Sequence, residues 1–275
     1  MRTRHVALVA LLAVVVPTAA FASVPTRREG RRSDASAMAR IPTGEYRPLY
    51  AAPGADRVRV AAFALDRRPV SRADFLAFVR EHPEWRRGGV RPRLAEPSYL
   101  ADWPGALDAG SRADLQRPVT AVSWFAAKAY CAARGKRLPT LDEWEYAAAA
   151  SETRRDASAD PAFGRRLLAL YAARSSAPLP VAGSGVANVY GVRDLHGSAW
   201  EWTLERNSTV VADDSRVSGG APDARDHRLY CASAAIGAAD PANYPAFLRA
   251  AVRAGLTART TLGGLGFRCA ANVPV

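Results

Sequence analysis

Cysteine is scarce. The chain has three in 275 residues, Cys131, Cys231 and Cys269, too few for a disulfide scaffold, and the odd count allows at most one internal pair. Histidine is sparse too: His5, His82, His196 and His227, with no pair spaced to hold a metal on one face. Lysine is nearly absent; Lys128 and Lys136 are the only two, so the net charge of +12 is carried by arginine. The arginines do not alternate with aromatics as a nucleic-acid groove requires. We read them as a solvated surface, which excludes nucleic acid as a partner. No G-x-S-x-G, phosphate-binding loop, helix-opening G-x-G-x-x-G or H-E-x-x-H occurs, so serine-hydrolase, nucleotide and zincin chemistry have no footing. After the first residues no apolar run reaches the length of a bilayer span. There is no internal repeat and no heptad.

What is present begins with a leader. Arg2, Arg4 and His5 precede the apolar run Val6–Val16, then Pro17 and the small-residue site Ala20-Phe21-Ala22. This is the three-part secretory signal, expected at 1–22; the other reading is an uncleaved anchor. Residues 23–40, charged and rich in Ser and Arg, read as a flexible linker. The folded domain is expected at 41–275, in a periplasmic or secreted setting, with no stable membrane span after cleavage. Nearly half the sequence is apolar, at 49%, enough for a sizeable core.

Strands are expected at Ile41–Tyr46, Val58–Leu65 and Arg117–Val122. Closing strands are expected at Arg228–Cys231, Arg249–Arg253 and Gly266–Ala270. Ser71 caps a helix, with Asp74 three residues on and Phe75, Phe78 and Val79 as its apolar face; Pro83 ends it. Glu84–Gln116 is a long loop, either functional or packed by its own aromatics. Ser123 caps a helix from Trp124 to Arg134, closed by Gly135 in the left-handed region. Thr140 and Glu143 form a capping box for a third. A weaker helical pattern lies near Phe163–Tyr171.

The densest stretch is Asn188–Thr203, NVYGVRDLHGSAWEWT. Gly191 and Gly197 argue for a tight loop rather than a helix or plain strand. Asp194, the carbonyls of Gly197 and Ala199, and Glu201 supply the oxygens that a Ca²⁺ shell uses. The alternative is a turn anchored by Trp200 and Trp202 with two solvated carboxylates.

Three stretches occur in order: RPVTAVSWFAAKAYCAARGKRLPTLDEWEYAA (Arg117–Ala148), NVYGVRDLHGSAWEWT (Asn188–Thr203) and GGLGFRCAA (Gly263–Ala271). Together they resemble the formylglycine-generating enzyme, or sulfatase-modifying factor, family. The resemblance implies an α+β fold, low in regular secondary structure, with a core like that of C-type lectins. HPEWRR (His82–Arg87) and Ala234–Arg249 look like the exported NirV-like members found beside copper nitrite reductases. The resemblance implies structural Ca²⁺ at Asp194, Gly197, Ala199 and Glu201, and a disulfide between Cys131 and Cys269. A second calcium loop of the family has no match.

One departure stands out. Active members use two cysteines shortly before the closing GFRC as Cu(I) thiolates; the matching positions here are near Asp240 and Pro245. The Asn that commonly precedes GFRC is Gly264. A replacement site from His227 and Cys231, with Asp226 nearby, would share one face of a strand and hold copper or iron; the other reading is coincidental spacing. His196 reads as a turn residue.

The expected function is therefore an exported accessory or maturation factor for a periplasmic copper or respiratory enzyme, with a protein or peptide partner. The alternative is an O₂-dependent oxidoreductase with a rebuilt metal site, acting on a peptide or siderophore-like substrate as the PvdO-like members do.

Overall fold

The structure is a computed structural model, and it describes residues 38–50, 57–174, 178–205 and 243–273. The strands are β1 (Met38–Ile41), β2 (Gly44–Tyr46), β3 (Val58–Val60), β4 (Phe63–Asp66), β5 (Trp200–Glu201), β6 (Leu265–Gly266) and β7 (Ala270–Asn272). The helices are α1 (Arg72–Glu81), α2 (Arg112–Leu115), α3 (Trp124–Ala133), α4 (Leu141–Ala148), α5 (Pro161–Ala173) and α6 (Tyr244–Ala254). The fold is α+β with short elements, as expected. The first strand starts earlier than the expected boundary: Met38, Ala39 and Arg40, read as linker, pair with β4.

β4 is the centre of an antiparallel sheet, β1-β4-β7. Its register sets Leu65 opposite Ala270, so the ends of the domain close on one strand. β2 and β3 form a separate antiparallel pair, and β5 and β6 a two-residue parallel one.

Local chemistry explains the helix starts. Ser71 accepts from the Asp74 amide while Asp74 reaches back to the Ser71 amide, and Thr140 and Glu143 repeat this at α4. Each reciprocal pair satisfies two amides that a helix start otherwise leaves without acceptors. Ser123 caps α3 through the Ala126 amide, and Gly135 follows with φ of 67°. α5 is longer than its pattern suggested, because Asp160 caps it and Pro161 opens it.

Two expected strands are not strands. Arg117–Val122 makes one bridge, Ser71 to Pro118; Pro118 has no amide to donate, and Ala121 has φ of 55°, which breaks the pleat. Arg249–Arg253 lies in α6, where its spacing stacks both arginines on one helical face. Gly266–Ala270 is divided between β6 and β7. Arg228–Cys231 lies outside the described residues.

Buried apolar side chains form two main clusters. In one, Phe75, Phe78, Tyr130, Trp103 and Phe267 pack α1 and α3 against the closing segment. Tyr99, Leu100 and Trp103, from the long loop after α1, are buried in it, so that loop is packed by its own side chains. In the other, Ile41, Phe63 and Leu65 of the sheet meet Trp144, Tyr146 and Ala147 of α4. Cys131 and Cys269 are disulfide-bonded across 138 residues of sequence and fully buried in the first cluster. Replacing both by Ser opens a long covalent loop, and we expect a loss of about 2–4 kcal/mol. A guanidinium-chloride midpoint unchanged in the double variant would refute this.

Candidate functional site

The loop Asn188–Thr203 is built on side chain to backbone bonds. Asn188 accepts from the amides of Tyr190 and Val192 and donates to the Ala147 carbonyl at 2.9 Å. Asp194 has φ of 60°; its carboxylate accepts from the amides of Gly183 and Gly185. Trp202 donates to the Val122 carbonyl at 2.9 Å, tying this loop to the first signature stretch. The carboxylates are not solvated: Asp194 and Glu201 are both buried, which corrects the simpler reading of the loop.

Glu201 is held by the third stretch. Arg268 Nε donates to its Oε2 at 2.7 Å and Arg268 Nη2 to its Oε1 at 2.9 Å. Trp144 Nε1 donates to Oε2 at 2.7 Å. A carboxylate oxygen has about two acceptor positions. Oε2 is thus filled, while Oε1 and both Asp194 oxygens each retain one. Among the described residues no three His, Cys, Asp or Glu side chains group as a metal site, so a cation here would also need backbone carbonyls. The chemistry of this donor set, Asp194, Glu201 Oε1 and the carbonyls of Gly197 and Ala199, fits a hard cation. Bound there, Ca²⁺ would supply structural crosslinking of the loop, and Arg268 and Trp144 would orient its Glu201 ligand.

All three stretches line one cavity of about 650 Å³. The first contributes Arg117, Pro118 and Thr120, the second Trp200, and the third Gly263 and Gly264. β5 pairing with β6 sets Trp200 beside this glycine pair: the Trp200 amide donates to the Gly264 carbonyl at 2.8 Å. Tyr171 and Arg174, at the end of α5, form a further wall. Arg72 is ion-paired with Asp102 and Arg117 stands 3.5 Å from Asp114. Arg174 lies over the Trp200 ring, 4.1 Å from its centroid, and donates to the Gly264 carbonyl at 3.2 Å. Sequence reasoning missed Arg174, because it lies outside all three stretches and only tertiary folding brings it there.

A second cavity, of about 260 Å³, is bordered by Glu145, Arg249 and Arg253. Arg249 and Arg253 each donate to Glu145 at 2.6 Å. Burial alone would push the Glu145 carboxyl up, but the two arginines outweigh it and hold it down to about 2. These arginines, with Arg268, are buried, so the reading of arginine as solvated surface fails for them. The i, i+4 spacing of Arg249 and Arg253 places them on one helical face, but an even step shares a strand face as well.

His196 is buried, with Nε2 2.9 Å from the Ala148 carbonyl and Nδ1 2.8 Å from the Tyr171 hydroxyl. A carbonyl only accepts, so Nε2 carries the proton and Tyr171 donates to Nδ1. Burial first, then Arg249, push its pKa down to about 3, consistent with a packing role rather than a catalytic one. Cys131 and Cys269 are committed to the disulfide, so the described residues include no free thiol. Pro245 is the second residue of α6 and borders the second cavity. Asp226, His227, Cys231 and Asp240 lie outside the described residues.

The family model of the sulfatase-modifying factor enzyme 1-like domain matches residues 23–273. The chain belongs to this family. Relatives of the sulfatase-modifying factor domain extend along most of it. It is 31% identical to the inactive C-alpha-formylglycine-generating enzyme 2 of Mus musculus, over 91% of this chain and 90% of the relative. It is 29% identical to the formylglycine-generating enzyme of Streptomyces coelicolor, over 94% of this chain and 96% of the relative. The solved structure of PvdO from Pseudomonas aeruginosa is similar at 18% identity and a TM-score of 0.46, covering 86% of this chain and 94% of that one.

Replacing Glu145 with Gln leaves two buried guanidinium groups without a counter-charge and should cost about 3–5 kcal/mol. The pH dependence has a definite sign. The folded value lies below the ordinary 4.5, so this stabilisation is complete above that pH and is lost as pH falls from there toward about 2. Acid unfolding of the Gln variant should lack that part of the slope; equal slopes in both proteins over that window would refute the assignment.

Proposed function

We propose that this chain is an exported formylglycine-generating-enzyme-like protein that binds a protein or peptide without oxidising a thiol, serving as an accessory or maturation factor for a periplasmic enzyme. The observation that carries the reading is the state of the thiols. Both described cysteines are joined in a buried disulfide, and the described one of the two positions near which the resemblance places the copper thiolates is Pro245. Cu(I) needs soft thiolate donors, and proline offers none. A relative matched along 91% of the chain is named inactive, which supports the same reading. The disulfide favours an oxidising compartment, in line with the leader. Among the described residues no helix is long and apolar enough to cross a membrane.

The decisive test is incubation of the full mature chain with copper, O₂ and a cysteine-containing sulfatase peptide, with mass spectrometry and aldehyde trapping as readouts. No conversion of cysteine to formylglycine is expected; conversion overturns the proposal. Copper or iron retained at one ion per chain and lost in Cys231→Ser would instead favour the rebuilt oxidoreductase site.

The loop at Asp194–Glu201 is the proposed calcium site of the same protein. Chelation by EDTA should lower the melting temperature, and added Ca²⁺ should restore it in the native chain but not in Asp194→Ala. A melting curve indifferent to both treatments removes calcium from the account.

A further inference from the structure

The cavity where the three signature stretches meet has an electrostatic imbalance. Its walls carry three arginines, Arg72, Arg117 and Arg174, against two carboxylates, Asp102 and Asp114. Arg72 is paired with Asp102, and Arg117 lies near Asp114. Arg174 has no carboxylate partner among the described residues. The Nε atoms of Arg72 and Arg174 are buried without a hydrogen-bond acceptor, and that of Arg117 has only the Asp114 carboxylate, 3.5 Å away. A buried donor without an acceptor is costly, so the wall of this cavity carries polar groups that the protein itself leaves under-satisfied.

Arg174 is also pre-set for a ligand. Its plane is fixed over Trp200, and one of its N–H groups is fixed on the Gly264 carbonyl. Burial pulls its pKa down to about 10, partly offset by Tyr171 and Glu201, the direction that a nearby negative charge would reverse. The floor beside it is open. A Cβ built on Gly263 would meet nothing within 4 Å, and one on Gly264 would meet only Arg174 Nη2, at 3.6 Å.

We propose that this cavity is an anion-recognition site in which Arg174, backed by Trp200, receives a carboxylate of an acidic peptide segment. The proposal rests on the peptide-binding reading above and names the chemistry of its partner. One uncompensated guanidinium matches one negative charge, and its planar fork matches a carboxylate. A phosphate dianion would meet Asp102 and Asp114 in the same wall. A volume of about 650 Å³ is far larger than a lone carboxylate needs and leaves room for the residues that flank it. Without Arg2 and Arg4 of the leader the net charge falls from +12 to +10, and this excess would draw an acidic partner toward the surface.

The test titrates the full mature chain by NMR with four probes: Ac-Gly-Glu-Gly-NH₂, its Gln counterpart, Ac-Gly-Gly-Gly-OH and inorganic phosphate. The Glu peptide should bind at least ten-fold more tightly than the Gln peptide, and more weakly as salt is raised. Tighter binding of Ac-Gly-Gly-Gly-OH than of the Glu peptide would assign the carboxylate to a chain terminus instead of a side chain, within the same site. Arg174→Gln should abolish the difference between the Glu and Gln peptides. Gly264→Val keeps every charge and introduces bulk beside Nη2; it should weaken the Glu peptide at least ten-fold, and it decides the matter should Arg174→Gln fail to fold. Equal binding of Glu and Gln peptides, no binding of any acidic probe, or phosphate binding tighter than both carboxylates overturns the site. That result leaves the thiol-oxidation test untouched, and formation of formylglycine would likewise leave the Arg174 result standing.

Discussion

The structure hangs on one buried ion pair, Arg268 with Glu201, both side chains at 0% exposure. Ions removed from water in this way are tolerated only when their remaining hydrogen bonds are met. Arg268 meets them by donating to the Asp66 carbonyl at 3.1 Å and the Arg193 carbonyl at 2.9 Å, besides Glu201. One guanidinium therefore fastens the closing segment to the central strand and to the tryptophan loop. Trp144 adds α4 through the same carboxylate. The cavity inherits its shape from this junction, because Trp200 and the Gly263-Gly264 pair are presented by residues immediately beside it.

Buried arginine thus does two different jobs. Arg249 and Arg253 share Glu145, Arg268 pairs with Glu201, and all three serve as internal ties. Arg174 is held by a ring face and a carbonyl, neither of which cancels a full charge. Among the described residues Arg174 has no ion-pair partner, and it sits where three sequence-distant stretches converge, whereas Arg249 and Arg253 border the second cavity already paired.

What was legible in the sequence was local. Ser71 with Asp74 and Thr140 with Glu143 announce helix starts because capping acts over three residues, and Gly135 marks a helix end for the same reason. The signature stretches were legible as a family pattern, and with them the Cys131–Cys269 bond. The failures are tertiary. Nothing local shows that Ala121 will be held at φ of 55° by its bonds to Leu100 and Leu262. Arg249 and Arg253 suit a helix or a strand by composition, and only Glu145, more than a hundred positions away, decides between them. Asp194 and Glu201 could be seen as carboxylates in a turn, but not as carboxylates already engaged by amides, an indole and a guanidinium.

The placement of β4 has a consequence for how the molecule comes into being. Its two neighbours are the first and the last described strands, and Leu65 faces Ala270 across the ladder. β1 ends at Ile41 and β7 begins at Ala270, so one edge of β4 can be paired only once that far segment is in place. Pairings this remote are made late and slowly. A chain cut short before Cys269 would lack both β7 and the disulfide. Completion of the fold therefore waits on the segment that carries Cys269 and β7.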